Sequence, residues 1–434
     1  MFEGTGRRNK ILYAVGNIGN GVYSGFNNAI LSLYVSAFTS NPYVLGYLSN
    51  TQTMEGAIIQ PLVGRWSDRM ASPLGRRRPF LLVCVPISVF FLALIPVLAK
   101  QGHSRALPLI AAAIVLFSIT WNMAQDPNTA LMVDITTPPE RPIYNSILAM
   151  ISLLGQVGIA LYTSFAVLKT NNLPDRVFYV CAALLLLSYA VVFLGVREPK
   201  EAREVAQREE RIPLRVYVAE LRAFKEAFKL LGSIFCLWTG LHAFLPFITI
   251  FPTRVVGASK TQALVVYIVL ILTSAALSYP AGRLGARFGN RRCVILGTLT
   301  LIGAAFIGLV VPSYFWMFPL AILAGTGFAF TNALTYPLLS ELIPSSKVGV
   351  FTGIQTAFGA AAVPVSVVLN GTLIDHFGFR SMFAFLAAMM ILDVLFLLSI
   401  DVTRARDQVR QAGEAERALA AESVTRAVGR LASS

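Results

Sequence analysis

Several polar side chains share one side of an apolar stretch, where they are able to bind hydroxyl groups or carry a proton. Asn122, Gln125, Asp126 and Thr129 follow a helical spacing, and Trp121 lies one turn from Gln125. Amides hydrogen-bond to hydroxyl groups, whereas a carboxyl group in apolar surroundings persists if it is paired, protonated or hydrated. Asp126 is therefore the first candidate for a proton-coupling group. A structural hydrogen bond is the alternative.

A second acid, Glu55, lies in another apolar stretch, one turn after Gln52. Gln60 follows five residues later. Glu55 is the second candidate for proton coupling, again with structural hydrogen bonding as the alternative. We expect the amides of Gln60, Asn122 and Gln125 to contribute to substrate binding.

The first apolar stretch carries a polar stripe with helical spacing, flanked by Tyr23 and Asn28; it consists of Asn17, Asn20, Ser24 and Asn27. A stripe of amides facing lipid would be costly, so it must face another helix or a hydrated cavity. We interpret Asn17 and Asn20 as interhelical hydrogen-bonding groups. Tyr23, Asn27 and Asn28 are candidates for substrate binding.

The second half of the chain offers aromatic and amide groups of the same kind. Trp238 and His242 are one turn apart, and Asn332 and Gln355 lie in two later apolar stretches. Sugars are bound by planar polar groups that meet hydroxyls, with an aromatic face against the C–H surface of the ring. Trp121 and Trp238 are candidate platforms for such a ring, and ordinary packing is the alternative for each.

These residues must be positioned by membrane helices. Of the 434 residues, 56% are hydrophobic and 13% charged, about half the charged share of soluble domains. A helix needs about 20 mostly apolar residues to cross a bilayer. Twelve stretches qualify: 11–36, 43–64, 80–99, 107–133, 145–168, 177–196, 231–252, 261–282, 293–311, 315–339, 349–372 and 380–401.

The basic residues are distributed unevenly between the two sides of these stretches. With the N-terminus and every even-numbered loop on one side, that side holds 29 of the 36 Lys and Arg residues. This asymmetry predicts cytoplasmic N- and C-termini, so the net charge of +14 reflects topology and no nucleic-acid partner is expected. The four cysteines lie in or beside predicted helices and imply no disulfide framework, and no cleavable signal peptide is evident.

The spacing of the stretches predicts two six-helix halves, residues 1–196 and 231–401. The linker 197–230 contains apolar residues on one helical face, so we expect either an amphipathic helix at the membrane surface or a solvated linker. These residues are Val216, Leu221, Phe224 and Phe228. The tail, 402–434, is expected to be helical or disordered, without a chemical role.

Loop sequences recur between the halves. The stretch "GRLGARFGNRRCVIL" after the eighth span repeats "GRWSDRMASPLGRRRPFLL" after the second, without the aspartate and four residues shorter. Asp134, after the fourth span, corresponds to Glu341, after the tenth. Such repetition is typical of transporters built from parallel repeats.

The twelve spans and the Gly-x-x-x-Asp-Arg…Gly-Arg-Arg loop resemble the major facilitator superfamily. Within it, "IIQPLVGRWSDRMASPLGRRRPF" and the pattern Gln125, Pro127, Ala130, Leu131, Asp134 are similar to the sucrose–proton symporters and their relatives among the glycoside–pentoside–hexuronide cation symporters. The resemblance implies an all-α membrane protein with two pseudo-symmetric six-helix bundles. It also implies that the last span is peripheral, so Asp393 in that span is a weaker candidate for proton coupling.

The resemblance implies a gating role for the repeated loops. Asp68 is expected to help close the two halves on the cytoplasmic side, with partners among Arg69, Arg76 and the N-terminal end of the eleventh span. Asp134 is expected to complete this network, so we assign it and Glu341 to the gate. Gly64 is expected to permit close helix approach, and Gly75 a turn. A merely solvated rim is the alternative.

Two departures from the family pattern bear on the substrate and the coupling ion. Sucrose symporters carry an arginine where this chain has Thr129, which argues against sucrose itself. Sodium-coupled relatives carry two acids where this chain has Gly56 and Gln60, and a hard cation needs several oxygen ligands. Protons are therefore the favoured coupling ion, by elimination.

We therefore predict a monomeric, multi-pass transporter of the plasma membrane, or of the inner membrane in a bacterium. It would move a sugar or glycoside by alternating access, coupled to protons. The alternative within this fold is a proton-coupled exporter of amphipathic drugs or other small organic solutes. No ATP-binding loop, metal cluster or cofactor motif is recognisable, so neither an enzyme nor a cofactor is expected.

Overall fold

The computed structural model describes residues 6–70, 72–101, 103–137, 140–168, 172–196, 224–344, 348–411 and 414. It gives the backbone alone at 57, 61, 65, 68, 69, 103–105, 142, 143, 146 and 348–350. The predicted linker helix falls largely on residues 197–223, outside the described residues. Of the tail, residues 402–411 are helical.

The described chain is α-helical. In the first half, the helices are α1 (Arg7–Gly25), α2 (Ser32–Val35), α3 (Pro42–Arg69), α4 (Arg78–Leu98), α5 (His103–Ile135), α6 (Arg141–Val167) and α7 (Arg176–Gly195). In the second half, they are α8 (Lys225–Phe244), α9 (Ile250–Val255), α10 (Lys260–Phe288), α11 (Asn290–Val310), α12 (Met317–Glu341), α13 (Val348–Phe377) and α14 (Ser381–Ser399). A π-helical turn, Phe26–Leu31, joins α1 to α2, and short 3-10 turns flank α4, α8 and α12.

Ten helical segments in the described residues are long and apolar enough to cross a membrane, beginning with α4. The first two predicted spans, 11–36 and 43–64, are helical but more polar, because they contain the amide stripe and the polar residues around Glu55. The seventh predicted span, 231–252, starts six residues earlier, at Lys225, and is interrupted by a 3-10 turn that contains Pro246.

The helices pack as two groups, which we call the N group (α1–α7) and the C group (α8–α14). The groups meet where α3 packs against α13 and α6 packs against α10. Lys10 and Glu140 join the starts of α1 and α6, and Lys229 donates to the Ser399 carbonyl at the end of α14. We call the surface that carries these ends the terminal face, and the opposite one the far face.

Candidate functional site

A stacked aromatic pair lies inside the N group. The rings of Tyr23 on α1 and Trp121 on α5 are parallel within 3° at 4.2 Å, and both side chains are fully buried. Tyr189 on α7 meets Trp121 edge to face at 5.2 Å. Trp121 therefore has its ring face covered by protein, and its candidate role as a sugar platform is not supported by this geometry.

Two amides predicted to bind substrate hold helices together. Gln125 donates to Asn20 on α1 at 3.1 Å and accepts from the Tyr189 hydroxyl at 2.9 Å. Asn122, fully buried, donates to the Gln52 carbonyl at 3.1 Å and accepts from Gln60 at 3.3 Å. These bonds connect α5 to α1, α7 and α3, so the amides have positioning partners inside the protein.

Glu55 on α3 is in a different situation. Neither of its carboxylate oxygens is exposed, and neither has a hydrogen-bond partner. The hydroxyls of Tyr23 and Ser118 are also buried and without a partner. Ser118 lies within reach of both the Tyr23 hydroxyl and the Glu55 carboxylate, although none of these contacts meets hydrogen-bonding geometry. Buried polar groups are normally paired, so this cluster requires an explanation.

Asp126 on α5 lies against α3 at Gly64. A Cβ atom at Gly64 would lie 2.7 Å from the Asp126 Oδ2 atom, closer than side chains tolerate. The close approach of the two helices at the carboxylate therefore depends on glycine at this position, as the sequence predicted for Gly64.

The two amides of the π-helical turn face different neighbours. Asn27 is buried and donates to the Ser49 carbonyl at 3.2 Å. Asn28 is half-buried and lies close to the hydroxyl of Tyr267 on α10, in the C group. The wide π-helical turn, a feature frequent at functional sites, thus directs one amide within its own group and one across the interface.

The C group contains a cavity of about 180 Å³. Three of the predicted substrate-binding residues, Trp238 on α8, Asn332 on α12 and Gln355 on α13, line it together with Thr335 and Tyr336. Asn332 and Tyr336 are exposed, and the Gln355 Oε1 atom is buried without a partner. The cavity combines an indole ring with hydroxyl and amide groups, which are the groups that bind sugars.

His242, predicted beside these residues, is not part of the cavity lining. Its Nδ1 atom lies 2.8 Å from the Oδ1 atom of Asn50 on α3, and Asn50 also donates to the His242 carbonyl at 3.4 Å. Both residues are buried. His242 therefore connects the two groups, one turn from Trp238 on the far-face side.

Other hydrogen bonds between the groups also lie toward the far face. Thr249 donates to the Ala29 carbonyl at 3.0 Å, and Tyr43 lies 3.0 Å from Thr372. Asn50 and His242 are the innermost members of this set. The cavity lies between this pair and the terminal face. Gln355, which lines the cavity, is close to the start of α13, whereas Thr372 at the other end of α13 lies at the far face.

The repeated loops adopt matching geometry on the terminal face. Gly75 and Gly289 both have positive φ, 103° and 93°. The residue after Gly75, Arg76, donates to both oxygens of Asp134 at 3.0 and 3.1 Å, and Asn290 after Gly289 donates to Glu341. The turn at Gly75 agrees with expectation, whereas Arg76, expected as a partner of Asp68, is paired with Asp134.

The side chains of Asp68 and Arg69, and those at the start of α13, lie outside the described part of the structure. Glu341 is contacted by Arg406 of the tail at 3.2 Å, a partner that the loop pattern did not predict.

The match to known proteins accords with this architecture. A model of the Major Facilitator Superfamily matches residues 13–272 and 230–432. The chain belongs to this superfamily. Solved structures of similar fold include a D-xylose–proton symporter, with a TM-score of 0.69 at 18% identity over 91% of this chain and 98% of that one. A point mutant of the nucleoside transporter NupG gives a TM-score of 0.70 at 12% identity over 90% and 99%.

Two curated relatives match parts of this superfamily member. Human proton-associated sugar transporter A is 34% identical over 109 residues, which cover 23% of this chain and 15% of that protein. Sucrose transport protein SUC3 of Arabidopsis thaliana is 28% identical over 118 residues, 24% of this chain and 20% of that protein. The matched segments thus span about a fifth or less of these relatives.

Two buried polar residues, Asp393 and Ser118, had a weak signal and no signal in the sequence, respectively. Asp393 is fully buried on α14, where it accepts from Thr298 at 2.7 Å and from Ser233. These partners hold it between α8, α11 and α14, outside the cavity lining. Ser118 carried no signal, because a single serine in an apolar helix usually bonds its own backbone.

Proposed function

We propose that this protein is a secondary active transporter that moves a sugar or glycoside by alternating access, coupled to protons. The observation that carries the proposal is the cavity in which Trp238, Asn332 and Gln355 meet. The names of both curated relatives support the same substrate class, and the name of proton-associated sugar transporter A also supports the ion.

The proposed transport cycle uses the interface between the two groups. The far face is joined by Asn50, His242, Thr249 and their partners, whereas the cavity lies toward the terminal face. Sugar would enter or leave through the terminal face in this arrangement. Rocking of the groups would then break the far-face bonds and expose the same cavity on the other side.

The proposed topology is twelve membrane crossings with both termini cytoplasmic. The division is an N-terminal bundle (1–196), a linker (197–230), a C-terminal bundle (231–401) and a tail (402–434), in a monomer. Supporting this, the N-terminus, the even-numbered loops and the tail of the sequence together hold 29 of the 36 Lys and Arg residues. The terminal face is then the cytoplasmic one, and Asp68 and Arg69 would join Arg76 and Asp134 in its gate.

A ligand screen tests the substrate class. Purified protein is heated with glucose, sucrose, maltose, glucuronate or tetraphenylphosphonium at two pH values, and the unfolding temperature is followed. We expect stabilisation by at least one sugar, and its loss in Trp238→Ala. Stabilisation by the hydrophobic cation alone would favour the drug exporter instead.

Uptake into liposomes tests proton coupling for the stabilising sugar. An inwardly directed proton gradient should drive accumulation, and a protonophore should abolish it. Between Asp126→Asn and Glu55→Gln, the variant that retains exchange of labelled for unlabelled sugar while losing accumulation identifies the acid that carries the proton. Accumulation that requires sodium and ignores the protonophore would contradict the proposal.

A further inference from the structure

We propose that Glu55, rather than Asp126, holds the transported proton, and that Tyr23 and Ser118 are positioning residues for it. This inference rests on the proposed function, because it identifies the group that couples protons to sugar movement. It starts from three side chains on three helices whose polar atoms are buried, close together and without partners.

The burial of these groups is nearly complete. Tyr23 is 0% exposed and Ser118 is 1% exposed, and both Glu55 oxygens are inaccessible. The stack of Tyr23 on Trp121 fixes the direction of its ring, so the hydroxyl stays beside Ser118. A buried acid left without hydrogen bonds is costly, and small rotations here would supply them.

The cluster is able to satisfy both protonation states of Glu55. As a carboxylate, Glu55 accepts a hydrogen bond from the Ser118 hydroxyl, which in turn accepts one from the Tyr23 hydroxyl. After one proton from water adds to a carboxylate oxygen, the new O–H donates to a hydroxyl oxygen. The same proton returns to water when the cycle reverses. Hydroxyls suit this exchange because each is both donor and acceptor.

The surroundings of Glu55 contain no compensating cation among the described side chains: Glu55 takes part in no ion pair there. The titratable groups that interact with it are phenols, Tyr23 on α1 and Tyr47 on α3 itself. The Lys and Arg residues of α1, α3, α5 and α8 lie near the ends of those helices. Asp126 lies against Gly64, His242 contacts Asn50, and Asp375 and His376 lie at the far-face end of α13. A proton is therefore the charge that neutralises Glu55.

Infrared spectroscopy of the purified protein in lipid tests this assignment without any sugar. A protonated, buried carboxyl group gives a C=O stretching band that shifts to higher wavenumber when it loses a hydrogen bond. We expect a band that appears on acidification and is absent in Glu55→Gln. The same band should shift upward in Tyr23→Phe and in Ser118→Ala, and Ser118→Thr should restore its position.

The controls separate the possible outcomes. Tyr23→Phe keeps the ring stack, and Asp393→Asn should remove a different band, since Asp393 has its own hydroxyl partners. A pH-dependent band that survives Glu55→Gln, disappears in Asp126→Asn, or is unmoved by both hydroxyl deletions would overturn the inference. Absence of sugar transport with the expected spectra would instead reject the proposed function alone.

Discussion

Removing the Asn50 side chain should open the far face. In the present arrangement Asn50 and His242 share one contact of 2.8 Å and one longer contact of 3.4 Å, both buried. A hydrogen bond contributes about 0.5–1.5 kcal/mol net. With the 3.4 Å contact counted as a partial hydrogen bond, the two contacts stabilise the closed far face by about 1–2 kcal/mol. Asn50→Ala removes both contacts, so it shifts the closed-to-open ratio about 5- to 30-fold.

Cysteine labelling measures this shift. A cysteine at Gly46 would place its Cβ atom 3.6 Å from Val367 of the other group, in ordinary contact and covered while the far face is closed. The four native cysteines are buried, so their background labelling should be slow. With a membrane-impermeant maleimide added to the far side, Gly46→Cys should react about 5- to 30-fold faster when combined with Asn50→Ala.

Thr51→Val provides the matched control, because the Thr51 hydroxyl donates to the Leu48 carbonyl within α3 and not across the interface. It should leave the labelling rate close to that of Gly46→Cys alone. An equal rise in both variants would indicate general loosening of α3. An unchanged rate in Asn50→Ala would refute the role of the pair in closing the far face.

Substitutions at three positions have defined outcomes. Trp238→Ala should raise the Kd of the stabilising sugar at least about tenfold, or ~1.4 kcal/mol, as followed by ligand-dependent thermal unfolding, while Trp238→Phe should recover part of it. Gly64→Ala would crowd the Asp126 carboxylate, so we expect a loss of about 1–3 kcal/mol in the unfolding free energy and slower proton-driven uptake. The hydrogen bond from Lys10 lowers the pKa of Glu140 to about 2. The stabilisation that this hydrogen bond gives to the folded protein is thus complete at pH values above 4.5, the ordinary pKa of the group, and is lost as pH falls toward 2. Glu140→Gln should therefore lower the unfolding temperature equally at mildly acidic and mildly basic pH. The difference in unfolding temperature between the variant and the parent protein should shrink only below pH 4.5.

The sequence indicated the cavity residues because they are polar residues in apolar stretches, where a polar side chain without a partner costs free energy. Trp238, Asn332 and Gln355 stand on three separate helices, yet all three line one cavity. Lipid does not stabilise such groups, so their inward direction follows from the physics of the bilayer. The turn expected at Gly75 is present, with a positive φ of 103°.

Side-chain partners across helices did not follow from the sequence. Trp121 and Trp238 have similar polar neighbours along the chain, but the packing of α1 on α5 places Tyr23 over Trp121. His242 lies one turn from Trp238, and it contacts Asn50 because α3 of the other group passes there. Such outcomes depend on helix rotation and depth, which hydrophobic periodicity does not specify.

One helix connects the elements of the proposed mechanism. α3 carries Asn50 at the far-face contact, Glu55 in the buried cluster and Gly64 against Asp126, within a length of about 21 Å at 1.5 Å per residue. The same helix packs against α13, which contributes Gln355 to the cavity. A change of charge at Glu55 therefore acts on the helix that also bears the far-face contact, with a single rigid element between them. In the proposed mechanism, the contact between α3 and α13 is therefore sufficient to connect the proton site to the sugar cavity.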